Sequence, residues 1–357
     1  MDLTLNSDQV ALRAGIREYL ADRWNADRLR SCAPVTAQEW KELAGLGVFG
    51  LLLPEAAGGM GLGLADAAIV FEELGAALVP GPLVPTVLAA SGVVPGAAEG
   101  DAIVAMLDLA APGPAIIEHL GLATHVVVVS DDGLFLLPAP ALASASAVPA
   151  RGTTPVTPAE PLDPLTPVAV AAGDVPALMS RAERVGSAAD AALWRVRGAV
   201  LVAALQVGIA QGGLDLGVRY VTEREQFGRV VGSFQAVKHL LAESLARVEL
   251  ARAAVLAAAV TADDPPAAGD PAAGGAAAGG AAAGDLAAGD LAVAAATAKV
   301  LADDAATAGG RTCVQVHGGM GFTWEVLAHL YLKRAWVQET AFGTTAEHEA
   351  FLASQLP

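Results

Sequence analysis

Residues 219–243 read RYVTEREQFGRVVGSFQAVKHLLAE, and residues 311–335 read RTCVQVHGGMGFTWEVLAHLYLKRA. Each stretch joins one segment of helical pattern to the next through a turn that contains glycine. Glycine lets backbone N–H groups approach an anion closely and arginine supplies a forked cationic donor, so the combination suits a pyrophosphate and its nucleotide. A tight turn beside a solvated arginine explains the same pattern, because isolated glycine motifs are weakly specific. The candidate binding residues are Arg224, Gln226, Phe227, Gln235, Gln315, Gly318, Gly319 and Gly321.

Composition narrows the class of protein around these two stretches. The 357 residues are enough for two or three packed units. Hydrophobic residues make up 54% and aromatic residues only 4%, and the abundant alanine favours helices. The net charge of -17 argues against a nucleic-acid-binding surface, which needs clustered Lys and Arg. We therefore expect a largely helical protein whose acidity serves solubility.

Cysteine usage and hydropathy point to the cytoplasm. Cys32 and Cys313 lie far apart and have no cluster of His or Cys nearby, so neither a disulfide framework nor a metal site is predicted. The first residues, MDLTLNSDQV, are polar and do not resemble a signal peptide. No window of about 20 residues has the uninterrupted apolar character and the flanks of a membrane span. We expect a soluble cytoplasmic chain that does not bind membranes.

The pattern along the chain predicts an α, β, α order in three domains. Helical spacing over residues 7–30, 37–48 and 64–78 indicates an N-terminal helical domain, residues 1–98. Short Val-rich runs follow, and VVVVSDDGLFLL reads as two strands around an Asp-Gly turn, which indicates a small β domain over residues 99–180.

Residues 181–357 return to the helical pattern. They begin with a helix of more than 30 residues, and a second long helix follows Gly232. Further helices are expected over 291–309 and from about 324. Residues 262–292 are rich in Ala, Gly, Asp and Pro, and the low complexity predicts an extended, flexible connection between helices. The expected fold is mostly α with a small central β domain.

Three motifs in this order resemble the acyl-CoA dehydrogenase family. They are YVTEREQFG with FQAVKH, QVHGGMGFTWE, and the N-terminal WKELAGLGVFGLLLPEAAGGMGLGLADAAIVFEELG. The resemblance covers residues 1–95 and 181–357 well and the middle poorly. It implies an N-terminal helical domain, a central β domain and a C-terminal four-helix bundle that mediates dimerisation. It also implies FAD as cofactor and the oxidation of acyl-CoA thioesters to trans-2-enoyl-CoA.

The resemblance assigns roles to single residues by matching position. In the family, the Arg-x-x-Phe-Gly and Gln-x-x-Gly-Gly-x-Gly motifs of one subunit contact the adenosine and pyrophosphate of the FAD seated in its partner. By matching position, the residues that would contact that nucleotide are Arg224, Phe227 and Gln235, with Gln315, Gly318 and Gly319 beside them. Thr344 matches a residue near the pyrophosphate of the subunit's own flavin.

The expected catalytic base is missing. In this family a carboxylate removes the α-proton of the thioester and commonly precedes a Gly-Thr pair near the C-terminus. In TAFGTTAE, residues 340–347, that position holds Phe342. The family's alternative position falls near Gly198, and no acid lies between Ala191 and Leu214. Glu339 and Glu347 flank Phe342 at three and five positions, so neither is expected to point as residue 342 does.

These departures predict a dedicated partner subunit. Residues 101–180 also lack the Thr-Glu-Pro and Trp-Ile-Thr segments that pack against the flavin ring in the family. The family includes α2β2 heterotetramers, frequent in actinobacteria and often linked to breakdown of steroid side chains, in which a shorter subunit completes the FAD pocket of a catalytic one. The sequence resembles that shorter subunit. The implied partners are a catalytic acyl-CoA dehydrogenase subunit, an acyl-CoA substrate and an electron-transfer flavoprotein.

Two alternatives stay open at this point. One is a self-sufficient homo-oligomeric acyl-CoA dehydrogenase with a displaced base. The other is a non-enzymatic scaffold or binding protein that retains the fold.

Overall fold

The computed structural model describes residues 3–111, 115–143, 156–171, 179–263 and 280–356. Helices dominate, and all the strands longer than two residues that it describes lie between Val104 and Gly186. The predicted fold class, mostly α with a small central β region, is confirmed.

Five helices form the N-terminal part. The first begins after Asn6, whose side chain accepts hydrogen bonds from the N–H groups of Asp8 and Gln9. One helix was expected over residues 7–30, but Asn25 accepts the N–H of Arg28 at 3.0 Å and starts a new helix, so the prediction of one helix is wrong. The helices are α1 (Ser7–Arg23), α2 (Ala26–Arg30), α3 (Ala37–Gly45), α4 (Leu64–Ala76) and α5 (Leu83–Ala90).

Two small sheets make up the middle of the chain. The first has the strand order β1-β3-β4-β7 and the second β2-β6-β5. The predicted hairpin in VVVVSDDGLFLL is confirmed, since β3 and β4 pair antiparallel with Ser130 opposite Gly133. The elements are β1 (Val104–Asp108), β2 (Ala115–Glu118), β3 (His125–Ser130), β4 (Gly133–Pro138), α6 (Pro140–Ala143), β5 (Val156–Ala159), β6 (Val168–Ala171) and β7 (Glu183–Gly186).

The C-terminal part is built around one long buried helix. This helix, α7, is long and apolar enough to cross a membrane, yet 83% of its most apolar window is buried inside the protein, as in the core helix of a bundle. The elements are α7 (Ala188–Glu223), a hairpin of β8 (Glu225–Gln226) and β9 (Arg229–Val230), α8 (Gln235–Asp263), α9 (Gly280–His317), α10 (Ala328–Glu339) and α11 (Thr345–Ser354).

The Ala/Gly-rich segment differs from the prediction where the structure describes it. Residues 262–263 end α8 and residues 280–292 begin α9, so these parts are helical instead of extended. Alanine has the highest helix propensity, and α9 continues into a core face that includes Ala295 and Ala298. Residues 264–279 lie outside the described residues. The last predicted helix, expected from about 324, begins at Ala328.

Helices α4 and α7 cross with their backbones in close approach. A methyl group added at Gly208 would overlap the carbonyl oxygen of Glu72 and lie 2.7 Å from the amide nitrogen of Ala76. One added at Gly75 would overlap the carbonyl oxygen of Leu205. One hydrophobic core therefore runs from the N-terminal helices into the bundle and fixes the wall of the cavity described below.

Candidate functional site

The residues singled out in the sequence fall at two ends of α7. Gly198 lies near its start and Arg224 caps its end, 26 positions later. At 1.5 Å of rise per residue, the two positions are about 39 Å apart. Phe342 contacts Gly198. Thr344 lies beside Phe342, whereas the other predicted nucleotide-binding residues gather at the Arg224 end, so one chain presents two separate sites.

At the Arg224 end, the structure brings the two glycine-containing turns together. The rings of Tyr220 and His317 stack with centroids 4.3 Å apart. Nδ1–H of His317 donates to the carbonyl oxygen of Cys313 at 2.7 Å, which fixes the ring, and burial lowers the pKa of His317. A methyl group added at Gly217 would meet Val316 at 3.3 Å, so this end of α7 packs tightly on α9. The turn after Gln315 therefore lies beside the turn after Arg224.

Arg224 and Phe227 form an exposed corner. The N–H of Arg224 donates to the carbonyl oxygen of Tyr220 at 2.9 Å, which ends α7. Among the described residues its guanidinium has no ion pair or hydrogen bond. Phe227 has a left-handed φ of 54° and a side chain that is 91% exposed, packed edge-on against Phe234 at 6.2 Å. An exposed aromatic ring beside an unpaired guanidinium suits contact with another surface.

The glycine turn after α9 leaves open space above its backbone. Gly318 has a φ of 60°, and an added methyl group at Gly318 or Gly319 would meet nothing within 4 Å. Gln315, Gly318 and Gly319 are exposed, as is Gln235 on the first turn of α8. The surface continues into Phe322 and Trp324, which are 78% and 53% exposed. Open backbone, a free guanidinium and exposed rings are groups that suit the phosphates and the base of a nucleotide.

At the opposite end, the ring of Phe342 lies on the backbone of Gly198. A methyl group at Gly198 would overlap Cε1 and Cδ1 of Phe342 and lie 2.7 Å from Cζ. Phe342 is 7% exposed and has a left-handed φ of 57°. The two positions where the resemblance implied a base are therefore one place in space, and an aromatic ring fills it.

A buried polar cluster holds the turn that carries Phe342. Nζ of Lys299 donates to Oδ2 of Asp303 at 2.6 Å and to the carbonyl oxygen of Glu339 at 2.9 Å. The hydroxyl of Thr345 donates to the same carboxylate oxygen at 3.0 Å. Lys299 and Asp303 are 0% and 2% exposed, and burial lowers the pKa of Lys299, whereas the Asp303 charge opposes that shift. The cluster ties the end of α10 and the start of α11 to α9.

Thr344 and Glu347 are engaged in capping α11. The N–H of Thr344 donates to Glu347 at 2.8 Å, and the N–H of Glu347 donates back to the Thr344 hydroxyl at 3.3 Å. Thr344 lines the cavity at this end, and its hydroxyl is used in the cap. Its match to a residue near the pyrophosphate of the subunit's own flavin stays a prediction. The carboxylate of Glu347 is likewise held by the cap, so it is not a free base. Glu339 does not line the described cavity.

A cavity of about 540 Å³ opens beside Phe342. Its walls come from the α4–α5 loop and α5, the strands β1 and β2, and helices α7, α9 and α11. Arg195 forms a bidentate ion pair with Asp108 at its edge, with distances of 2.9 and 3.0 Å. The other polar groups include Glu118 and His348, and Nε2–H of His348 donates to the carbonyl oxygen of Phe342 at 3.0 Å.

Glu118 is a cavity residue that the sequence did not reveal. It ends the strand β2, in the middle region where the resemblance is weakest, and burial raises the pKa of its carboxyl to about 7. The carboxyl faces the charges of Arg334 and Asp163. The sequence signal that could have identified Glu118 is an acidic residue at the end of the apolar run AIIE, directly before His119, which is buried.

Comparisons with known proteins identify relatives of this chain. A family model described as the acyl-CoA dehydrogenase C-terminal domain matches residues 193–356, and the N-terminal domain model matches residues 6–98. IpdE2 of Mycobacterium tuberculosis, named an acyl-CoA dehydrogenase, is 35% identical over 298 residues, which are 81% of this chain and 77% of that protein. The chain belongs to the acyl-CoA dehydrogenase family. The resemblance inferred from the three motifs is confirmed.

Other acyl-CoA dehydrogenases extend the comparison. FadE34 of Mycobacterium tuberculosis is 35% identical over 343 residues, covering 91% of this chain but 42% of that protein, so the chain spans less than half the length of this relative. Two solved structures share the fold. A variant of the steroid ACAD Tcur3481-Tcur3483 has a TM-score of 0.75 at 24% identity, covering 98% of each chain. The ChsE4-ChsE5 complex from Mycobacterium tuberculosis has a TM-score of 0.73 at 21% identity, covering 100% of each chain.

Acyl-CoA dehydrogenases bind FAD, and the two ends of this chain differ in how they fit it. The Arg224 end offers open glycine backbone, a free guanidinium and exposed rings, which suit the nucleotide half. The Phe342 end has an aromatic ring in the place that the resemblance assigns to a carboxylate base.

Proposed function

We propose that this chain is a non-catalytic subunit of an FAD-dependent acyl-CoA dehydrogenase complex, and that it completes the FAD site of a catalytic partner. The complex desaturates an acyl-CoA thioester between its α and β carbons, works in the cytoplasm and passes its electrons to an electron-transfer flavoprotein. An α2β2 heterotetramer is the assembly that we infer.

The observation that carries this proposal is the contact between Phe342 and Gly198. Removal of the α-proton needs a base within hydrogen-bond reach of the substrate. Both family positions for that base meet at this contact, and a phenyl ring accepts no proton. The nearby acid Glu347 is engaged in the cap of α11.

The separation of the two ends supports a shared cofactor. Arg224 and Gly198 lie about 39 Å apart on one helix, so residues at the two ends face different ligands. The exposed residues at the Arg224 end would then serve FAD held mainly by the partner subunit. Bound FAD accepts the hydride that leaves the β carbon. In this chain, Arg224 would pair with a phosphate and the open backbone at Gly318 and Gly319 would admit the diphosphate.

The relatives of this chain support a proposal for the substrate class. One structural neighbour is a steroid ACAD by its own name, and the family acts on acyl-CoA thioesters. A bulky acyl-CoA of lipid or steroid catabolism is the substrate class that we propose for the complex.

One observation favours the alternative of a self-sufficient enzyme. Glu118 lines the cavity, and a pKa near 7 suits a general base. The scaffold alternative leaves the Arg224 corner and the open glycine turn without a ligand, so it explains less.

Expression alone and with a candidate catalytic subunit tests the proposal. We expect the lone chain to be colourless and inactive, and the complex to show flavin absorbance and to reduce an electron acceptor with acyl-CoA. Turnover by the lone chain supplied with FAD would overturn the proposal, and loss of that turnover in Glu118→Gln would assign the base. A complex that binds no flavin would favour a scaffold.

A further inference from the structure

The cavity beside Phe342 persists although a phenyl ring occupies the expected position of the base. Its volume of about 540 Å³ lies within the range of small-molecule sites. Its apolar lining includes Leu83, Val84, Met106, Val202, Ala295 and Phe351. The cavity is large and apolar enough to bind a ligand. Because a phenyl ring occupies the expected base position beside it, we expect the bound ligand to be left unchanged.

The charges of the lining disfavour an anionic ligand. Asp108, Glu118 and Glu347 bring three carboxyl groups to the described lining, and Arg195 brings one guanidinium. That guanidinium is already paired with Asp108 on two atoms and with Asp131 at 3.3 Å. The described lining therefore offers no unpaired cation to a carboxylate or a phosphate, and burying an unpaired anion there would be costly.

One lining group suits an oxygen-bearing ligand. Glu118 is a carboxyl group at the wall, and in its protonated form it donates a hydrogen bond to a hydroxyl or keto oxygen. Such a donor fixes the orientation of a mainly apolar ligand without needing a charge on it.

We propose that this cavity binds an uncharged, largely hydrocarbon molecule that carries a hydroxyl or keto oxygen, and that it holds this molecule without transforming it. The inference goes beyond the role in the FAD site, and it uses the proposed function only for the absence of chemistry.

A matched pair of alkyl ligands tests the charge preference. The full chain is titrated with N-phenyl-1-naphthylamine, an uncharged fluorophore, and the probe is displaced at pH 7 by decan-1-ol or by decanoate. The two competitors share a chain length and differ in charge. We expect decan-1-ol to displace the probe at concentrations at least about tenfold lower. Equal displacement, or no binding of the fluorophore, would overturn the inference.

Two surface variants locate the binding. Ile116 lines the cavity and is 47% exposed, so Ile116→Lys adds a cation at the wall with little risk to folding. Leu162 is 53% exposed and does not line the cavity, which makes Leu162→Lys the matched control. We expect Ile116→Lys to shift the preference toward decanoate by about tenfold or more and Leu162→Lys to bind as wild type. The same response in both variants would place the ligand elsewhere and overturn the inference.

The pH dependence tests the donor role of Glu118. Its carboxyl pKa of about 7 makes decan-1-ol binding weaken as pH rises from 6 to 8, and Glu118→Gln, which keeps a donor, should bind independently of pH. Arg334 and Asp163 face this carboxyl, and the cavity adds Asp108, Arg195, Glu347 and His348, all unchanged in the variant. An equal pH response in the variant would exclude Glu118 as the donor.

A separate experiment measures whether the chain converts an acyl-CoA. Incubation of the chain with FAD and decanoyl-CoA, followed by detection of the enoyl product, reports on the proposed function alone. Product formation would refute the non-catalytic role, whereas failure of alcohol binding would refute only the cavity inference.

Discussion

The phenyl ring of Phe342 covers the backbone of Gly198 so closely that no side chain fits at position 198 while the ring is present. The two residues are far apart in sequence, and each matches a position that the resemblance assigns to the carboxylate base of the acyl-CoA dehydrogenase family. The ring of Phe342 can take this position only because residue 198 is glycine. The packing therefore leaves no room for a carboxylate at position 198 while the ring is present.

This contact predicts strong coupling between the two positions. Gly198→Ala should lower the free energy of unfolding by about 1–3 kcal/mol, because the ring or the helix must move to avoid overlap. Phe342→Ala removes the ring, so Gly198→Ala should cost little in that background, with a coupling of about 0.5–3 kcal/mol. Urea unfolding of the four proteins measures the cycle. Gly15→Ala, at an exposed helical position with nothing within 4 Å, is the control and should be neutral or stabilising. Additive effects at 198 and 342 would contradict the contact.

Asp263 caps a helix in a different part of the chain. Its carboxylate accepts the N–H groups of Leu64 at 2.6 Å and Ala65 at 2.9 Å, at the start of α4. Asp263→Ala should lower the free energy of unfolding by about 0.5–2 kcal/mol, because it removes an N-terminal cap and a favourable charge. Asp263→Asn, which keeps an acceptor, should lose less. Denaturant midpoints compare the two variants, and an unchanged midpoint in Asp263→Ala would mean that the cap contributes nothing.

The half-buried Glu118 predicts a pH-dependent stability. Burial raises its pKa from 4.5 to about 7, so the folded chain holds a proton that the unfolded chain has lost between these pH values. Stability from this group is present below pH 4.5 and is lost as pH rises through 7. Glu118→Gln should therefore gain stability relative to wild type between pH 5 and pH 8, on the order of 1–2 kcal/mol.

Thermal unfolding across this pH range measures the difference between Glu118→Gln and wild type. The neighbouring His119, with a pKa lowered to about 3 by burial, gives a slope of opposite sign that both proteins share. The exposed Glu160 provides the control variant Glu160→Gln. A pH-independent difference for Glu118→Gln would show that the group does not titrate in this window.

Arg224 predicts an effect on flavin in the complex. Arg224→Ala removes an exposed guanidinium with no partner among the described residues, so the fold should be unaffected. If it pairs with a phosphate, its loss should weaken flavin binding by about 1.5–3 kcal/mol, roughly 10- to 150-fold. Flavin content after gel filtration of the complex measures this. Arg23→Ala, another exposed arginine in the N-terminal part, should retain full flavin. Equal flavin content in both variants would remove Arg224 from the site.

Local patterns were enough for most of the fold. The hairpin at Ser130 and Gly133 followed from an Asp-Gly turn between apolar runs, and α7 from a long helical pattern. The break before α2 was missed because capping by Asn25 competes with a helical pattern that continues past it. The extended Ala/Gly-rich connection was wrong over 280–292, because alanine propensity extends α9 backward.

The residues of the candidate site could be predicted from the sequence only where they belong to a recognisable motif. Arg224 and Gly318 stood out as parts of glycine-containing turns, and Phe342 as a residue before Gly-Thr. The contact of Phe342 with Gly198 depends on how α7 packs against the α10–α11 turn, which no local pattern encodes. Glu118 and Lys299 were missed for the same reason, since burial by distant segments gives each its character.

The crossing of α4 and α7 couples the unfolding of the N-terminal helices to the unfolding of the bundle. Because Gly75 and Gly208 bring the two backbones together, most of α4 is buried, much of it against α7. A truncated protein that ends at residue 98 would expose that face to water and to other chains. The N-terminal helices and the bundle should therefore melt in a single cooperative transition, and separate expression of either piece should give aggregates instead of a folded module.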